Sequence, residues 1–396
     1  MKILIISNEF YPINSSGSIQ IHDLANELII QKHSVDILTS AQSSSTDHQF
    51  YPIKVMRPFA FNAKDINFVL RGINEFLNMI LMYFFIRFTK IRTMKWDLVV
   101  WYSPTIFLGI IANQLKKQSS SNGYLILRDI FPDWAIDMGL IKDPFSKLIF
   151  NFFANLQYRI ADKIGVQSNG NFDYLSKRID PTKIEILHNW LSDVKCTEPS
   201  KELLVLKKNL QSSTVLVYAG NMGVAQDLHL FINLAKHLQN ISELRFLFVG
   251  RGSQRDALMR FSQKLGLENI IFHDQLAPTD IPHLYKFCDI GILSLHHKHK
   301  THNIPGKFLS YMLSELPVLA SVNPDNDIYN IINQNNVGLA STGDLYRLIQ
   351  DAKSLLEIVR SDESSLQIMK TQCASLYNKL FSPKNAVRQI VSSSKA

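Results

Sequence analysis

Three observations predict an α/β fold of two facing, Rossmann-like, doubly wound domains with a cleft between them. Short apolar runs alternate with helical patterns through most of the chain, the signature of parallel βαβ units. At 396 residues the chain is longer than one core usually supports, so two domains are expected. With 46% hydrophobic and 19% charged residues, it has apolar material for sizeable cores and too little charge for disorder.

In the first half the strand candidates are KILIIS, SVDILTS, WDLVVWYS, YLILRDI and KIGVQS. The opening MKILIISNEFYP meets polar residues and Pro too soon for a signal-peptide core and reads as a first buried strand. In the second half the candidates are TVLVYAG, LRFLFVG, NIIFHD, IGILSL and LPVLASV. The polar stretch LSDVKCTEPSKE, from Leu191 to Glu202, is the expected linker, giving domains 1–192 and 193–377. In such folds ligands sit beyond the carboxyl ends of the strands. No segment reaches the ~18 uninterrupted apolar residues of a membrane span. Cys196, Cys288 and Cys373 stand far apart with no CxxC pair, so neither a disulfide framework nor a structural zinc site is indicated, and a reducing cytoplasm fits.

A net charge of +8 favours an anionic partner without choosing among nucleic acid, lipid surface and phosphorylated substrate. Three strand-to-helix turns in the second half narrow the choice. YAGNMG places Gly220, Asn221 and Gly223 before a helix; it is either an anion-binding turn or simple strand-to-helix geometry. GRGSQRDAL puts Gly250, Arg251 and Gly252 past a strand end, where an arginine either forks onto phosphate or lies on the surface. The third turn, HHKHKTHNIPGKFLSYM, carries His296, His297, His299 and His302. No carboxylate accompanies them, and Lys298 and Lys300 oppose a cation, so metal is disfavoured. Its basic residues sit in one loop rather than along an aromatic-studded face, which disfavours nucleic acid. Either this is a solvated loop, or the amides after Pro305 and the Lys307 ammonium face an anion.

The first half supplies two more candidates and a surface. SNEFYPINSSGS is a strand and a loop with Ser15, Ser16, Gly17 and Ser18; RDIFPDW brings Arg128 and Asp129 to a strand end, where Asp129 is equally a helix cap or an ion-pair partner. DND, Asp325 to Asp327, resembles a paired-aspartate metal motif but is better placed to cap a helix. From Phe68 to Lys95 a very apolar segment ends in Arg87, Lys90, Arg92 and Lys95. It reads as an interfacial helix against an anionic membrane, with a basic-ended core helix as the plain alternative; Lys147 to Arg159 extends the surface.

Taken in order, NEFYP…GS, RDIFPD, YAGNMG, VGRGSQRDAL and NIPGKFLSYMLSELPVLAS resemble the family 4 glycosyltransferases, which have the GT-B architecture. The resemblance covers nearly the whole chain. It is closest to bacterial enzymes of O-antigen and capsule assembly, similar to N-acetyl-L-fucosamine transferases that use UDP-sugars. It implies a retaining transfer from a UDP-sugar to a polyprenyl-diphosphate-linked acceptor, by a peripheral protein at the cytoplasmic face of the inner membrane, with no obligatory metal. It also implies that a tail of about 378–396 packs back on the first domain. Carried over by motif, Ser16, Gly17, Asn221, Gly223, Arg251 and Lys307 would surround the donor diphosphate, and Asp129 would lie near the reacting sugar. The backbone around His273 to Leu276, with Asp274 and Gln275 between, would hold the base, and Asn303, Ile304, Pro305, Gly306 and Ser310 would complete the donor site. Two glutamates common in the family are replaced here, near His302 or Asn303 and at Ser310. The basic pair common after the YAG strand is also absent, with Asn221 and Gln226 in its place. A nucleotide-sugar 2-epimerase of the same architecture and a degenerate transferase acting as a binding partner are the rival expectations.

Overall fold

The computed structural model describes residues 1–13, 15–40, 50–63, 66–193, 198–296, 304–323 and 326–394. The chain divides into two units, Met1–Trp190 with Pro383–Ala396, and Leu191–Ser382.

The first unit holds strands β1 (Lys2–Ser7), β2 (Ser34–Thr39), β3 (Lys54–Met56), β4 (Leu98–Tyr102), β5 (Asn122–Leu127), β6 (Lys163–Val166) and β7 (Ile184–Ile186). Its helices are α1 (Ser16–Ile30), α2 (Phe68–Phe88), α3 (Leu108–Ser119), α4 (Asp133–Asp137), α5 (Pro144–Ile160) and α6 (Asn169–Ser176). The sheet runs β3-β2-β1-β4-β5-β6-β7, with Leu4 in register between Asp36 and Val99 of parallel neighbours. Strand order reverses between β1 and β4, so their carboxyl ends open the crevice of this sheet. Both faces are covered, which is why β1 and β4 read as continuous apolar runs rather than alternating ones.

The second unit holds β8 (Thr214–Ala219), β9 (Leu244–Val249), β10 (Ile270–His273), β11 (Ile290–Ser294), β12 (Val318–Ser321) and β13 (Gly338–Ser341). Around them lie α7 (Lys201–Leu210), α8 (His229–His237), α9 (Arg255–Lys264), α10 (Ile281–Tyr285), α11 (Gly306–Leu313), α12 (Asp327–Gln334), α13 (Leu345–Ser361) and α14 (Glu363–Leu376). This sheet runs β10-β9-β8-β11-β12-β13 and reverses between β8 and β11. The two Rossmann-like sheets are the predicted fold class.

The final helix, α15 (Pro383–Ser393), belongs to the first unit. Ala386, Val387 and Ile390 join the core of Ile3, Leu24 and Trp190. Gln389 donates to the Ile186 carbonyl at 2.8 Å, and Ser393 Oγ donates to Glu185 at 2.7 Å. The chain leaves the second unit after Ser382 rather than near residue 378. Phe381 packs on Phe308 at 5.8 Å and Tyr377 Oη donates to the Leu191 carbonyl at 2.6 Å, which keeps that stretch with the second unit.

All ten expected strands form, and β3, β7 and β13 add to them. The first two are three-residue edge strands, KVM and IEI, too short to show a period. The third begins at Gly338, whose φ is +147° and where a Cβ would stand 2.0 Å from the Val318 carbonyl oxygen. A residue poor in strand propensity thus opens a strand because nothing larger fits.

The segment from Phe68 to Lys95 is not one helix. Asn67 caps α2 by accepting from Leu70 N at 2.8 Å, and the helix stops at extended Thr89, before a 3-10 turn over Lys90–Thr93. Met79, Met82 and Ile86 point into the core at helical spacing, while Ile73, Leu77, Tyr83, Phe84 and Phe88 face outward. Among the described residues no helix is long and apolar enough to cross a membrane.

Candidate functional site

At the carboxyl edge of the second sheet, three loops are tied into one wall. Strand β8 runs out at Ala219 into Gly220 with φ +140°, and β9 into Gly250 with φ +132°. A Cβ on Gly250 would lie 2.2 Å from the Gly220 carbonyl oxygen, so the loops approach more closely than any side chain allows. Backbone bonds join them: Met222 N donates to the Arg251 carbonyl at 2.8 Å and Gln254 N to the Met222 carbonyl at 2.9 Å. His296 N, after β11, donates to the Ala225 carbonyl at 2.9 Å and ties in the third loop.

Lys307 is the second residue of α11, whose N-terminus at Pro305 has no side-chain cap. Its side chain folds back against Gly220, where an added Cβ would meet Lys307 Cε at 2.6 Å. The ammonium stands 4.7 Å from the centroid of the Tyr218 ring. Among the described residues it has no ion-pair partner. Desolvation lowers its pKa from 10.5 to about 8. Tyr218 is held in turn by its hydroxyl, which donates to the Asn221 carbonyl at 2.5 Å.

Beside this pair is a cavity of about 480 Å³ whose walls include Gly220, Asn221, Gly250, Arg251, Gln275, Leu276, Lys307 and Ser310. Pro278, Ile281 and Tyr285 close its apolar side. Arg251 is exposed, and its carbonyl accepts from Met222 N. Ser310 Oγ donates back to the Gly306 carbonyl at 3.3 Å. Gly306 is exposed on the first turn of α11, and Ile304 is buried in the core below. Gly223 N donates to Gln226 Oε1 at 3.0 Å, fixing the turn after Asn221.

Asp274 stands apart from the cavity lining. Its carboxylate pairs with Arg255 at 2.8 Å and is largely exposed, so its neighbours Gln275 and Leu276 provide the wall. Asn303 lies outside the described residues, as do His297, His299, His302, Lys298 and Lys300 of the same loop, Asp325 of the DND stretch, and Cys196. Asn326 caps α12 by accepting from Ile328 N at 3.0 Å.

Ser16, Gly17 and Asp129 are in the first unit. Ser15 caps α1, accepting from Ser18 N at 3.1 Å while donating to Glu9 at 2.6 Å. Gly17 packs so tightly on Glu9 that a Cβ would fall 2.4 Å from its carboxylate oxygen. Asp129 follows Arg128, a buried guanidinium 4.5 Å from the Trp190 ring that donates to the Leu187 carbonyl at 3.1 Å. Burial lowers the Arg128 pKa.

Sequence reasoning passed over Glu9, Tyr218 and Tyr285. A tyrosine next to last in the buried run TVLVYA was the available signal, since its hydroxyl must reach a partner at the strand end.

Several known proteins share this architecture. The structure of Anabaena Alr3699/HepE in complex with UDP has a TM-score of 0.69 at 15% identity over 99% of both chains. The apo lipopolysaccharide outer core galactosyltransferase WaaB has a TM-score of 0.64 at 16% identity, again over 99% of both. A probable glycosyltransferase, WbjE of Pseudomonas aeruginosa, is 21% identical over 218 residues, which span about half of each chain, 54% of this one and 54% of WbjE. Residues 213–357, in the second unit, match the family described as glycosyl transferases group 1. The two parallel sheets and the structural matches over nearly the whole chain give it the GT-B fold.

Proposed function

We propose that the chain is a retaining glycosyltransferase that moves a sugar from a UDP-sugar to a polyprenyl-diphosphate-linked acceptor. The observation that carries this reading is the Lys307 ammonium, without an ion-pair partner among the described residues, held over Tyr218 and against the Gly220 turn at the edge of a glycine-walled cavity. A cation kept partly desolvated without a carboxylate gains most when an anion arrives. The HepE structure contains UDP, and WaaB is a galactosyltransferase of lipopolysaccharide outer core, which supports a nucleotide-sugar donor and a surface-polysaccharide acceptor.

In this reading the donor diphosphate lies against Lys307, with Arg251 at the rim and the uncapped first turn of α11 adding partial positive charge. Breaking the anomeric C–O bond leaves an oxocarbenium-like sugar and a diphosphate whose negative charge grows. Groups fixed on that diphosphate therefore stabilise the transition state more than the ground state. Because Lys307 and Arg251 supply this charge, no divalent ion is required. The donor sugar proposed from the resemblance is an N-acetylated 6-deoxyhexosamine such as N-acetyl-L-fucosamine, in O-antigen or capsule assembly. The protein acts at the cytoplasmic membrane face, where α2 and the cations after it lie against anionic lipid.

Mass spectrometry of the protein incubated with a panel of UDP-sugars and a synthetic polyprenyl-diphosphate sugar tests this. A product heavier by one glycosyl residue is expected. Epimerised free donor, or donor binding without product, would replace the reading with one of its rivals.

A further inference from the structure

We propose that the groove between α2 and α5 in the first unit binds the isoprenoid chain of the acceptor, an inference that rests on the lipid-linked acceptor proposed above. The groove has a volume of about 910 Å³, with Ile73, Phe76 and Leu77 on one wall and Leu148, Phe152 and Phe153 on the other. Phe107 lies at its base, and the rings of Phe76, Phe107 and Phe153 meet edge-on at 4.9 to 6.0 Å. Mutual packing of the three rings fixes the wall, so the recess is formed before any ligand enters. Ile73, Leu148 and Phe152 remain 51%, 68% and 61% exposed, an apolar concentration that a solvated surface rarely carries without an occupant.

Chemistry selects that occupant. Asp143 is the one charged residue of the lining, among the described residues, and its carboxylate is taken up capping α5, accepting from Ser146 N at 2.8 Å. Lys142 and Lys147 each adjoin lining residues in the chain and outnumber Asp143, so the charge along this segment is net positive. An apolar trough flanked in the chain by two lysines complements an apolar chain that ends in phosphate. A sugar or nucleotide would find almost no hydrogen-bond partners in it. A recess between two helices also admits a single chain end, whereas the outward ridge of Phe84 and Phe88 suits a lipid sheet.

Gly72 provides the probe. It lines the groove, and an added Cβ would meet only Phe150 Cζ, at 3.8 Å, an ordinary contact. A leucine there projects into the trough, and a helical backbone tolerates it better than glycine. The full-length protein is photolabelled with geranylgeranyl diphosphate bearing a terminal benzophenone, and the sites are mapped by mass spectrometry. Labels are expected on peptides of α2 and α5, displaced by unlabelled geranylgeranyl diphosphate and not by inorganic diphosphate. Gly72→Leu should cut labelling about tenfold, the scale of a blocked apolar subsite, while UDP affinity is unchanged. Phe152→Glu is the second variant, and circular dichroism confirms folding of both. Labelling elsewhere, or undiminished labelling of both folded variants, would overturn the proposal. So would an equal loss of binding to phosphatidylglycerol vesicles, which would make the groove a bilayer contact. Failure of sugar transfer to a soluble acceptor, with labelling intact, would instead count against the glycosyltransferase reading.

Discussion

The Lys307 ammonium and the Tyr218 ring, 4.7 Å apart, form a cation–π pair at the mouth of the β8 turn, with no carboxylate nearby to share the charge among the described residues. This pair keeps a charge oriented toward the cavity in a place where water solvates it poorly. Removing the charge should separate stability from activity. Lys307→Met is expected to lower turnover at saturating donor by at least ~100-fold, the scale of losing a strong oxyanion contact. It should also raise unfolding free energy by roughly 1 kcal/mol, because a desolvated charge is replaced by an apolar chain. Steady-state kinetics and urea titration at pH 7 check the two halves.

The titration of Lys307 sets a pH dependence. Its folded pKa, about 8, lies below the unfolded 10.5, so the unfolded chain binds the proton more tightly between those values. The penalty of the buried charge is fully present below pH 8 and is relieved as pH rises toward 10.5, so this residue's contribution to stability increases across that window. Activity runs the other way: kcat/KM for the donor should fall as pH passes above about 8. A flat profile to pH 10 would separate Lys307 from the chemistry.

Tyr218 should act through its ring rather than its hydroxyl. Tyr218→Phe keeps the face under the ammonium and loses only the bond to the Asn221 carbonyl. Tyr218→Leu loses the face itself, worth about 0.5 to 2 kcal/mol. The leucine variant is expected to show the larger drop in kcat/KM, with the phenylalanine variant between it and the parent.

Two glycines of the same site should differ sharply in their tolerance of a side chain. Gly250→Ala forces a Cβ to within 2.2 Å of the Gly220 carbonyl oxygen at φ +132° and should cost about 3 kcal/mol or prevent folding. Gly306→Ala meets nothing within 4 Å, so its stability should stay within about 0.5 kcal/mol of the parent. Chemical denaturation of the two variants side by side measures this.

The outward ridge of α2 should govern lipid binding. Phe84 and Phe88 stack at 6.1 Å and are 50% and 80% exposed. Replacing both with serine is expected to reduce sedimentation with anionic vesicles while leaving the melting temperature unchanged, since neither contributes to the core. Raising the salt should weaken the parent's binding through Arg87, Lys90 and Arg92.

The sequence was most legible where one physical requirement governed a whole run of residues. Buried parallel strands such as LVVWY and TVLVYA need apolar side chains on both faces, and that need is visible without a structure. The glycine turns after β8 and β9 were equally readable as close approaches, though the contact of Gly250 with Gly220 joins loops 30 residues apart and belongs to packing. Strands β3 and β13 were hidden because their pairing is imposed by neighbours. The break at Thr89 was hidden because TKIRTMK carries neither Pro nor Gly to mark a helix end. Tyr218 went unnoticed for a similar reason: as a strand residue it is unremarkable, and only the returning Lys307 gives it a role. The pairing of Asp274 with Arg255 likewise depends on where α9 begins relative to the end of β10.

Helix α15 has a consequence for biosynthesis. A ribosome releases residues 1–190 first, yet their core lacks Ala386, Val387 and Ile390 until residues 191–382 have been made. The unit of residues 191–382 can thus mature before that of residues 1–190, which waits as an open-sided nascent domain. Nonsense mutations in the codons for residues 383–390 should therefore injure the first unit before the second.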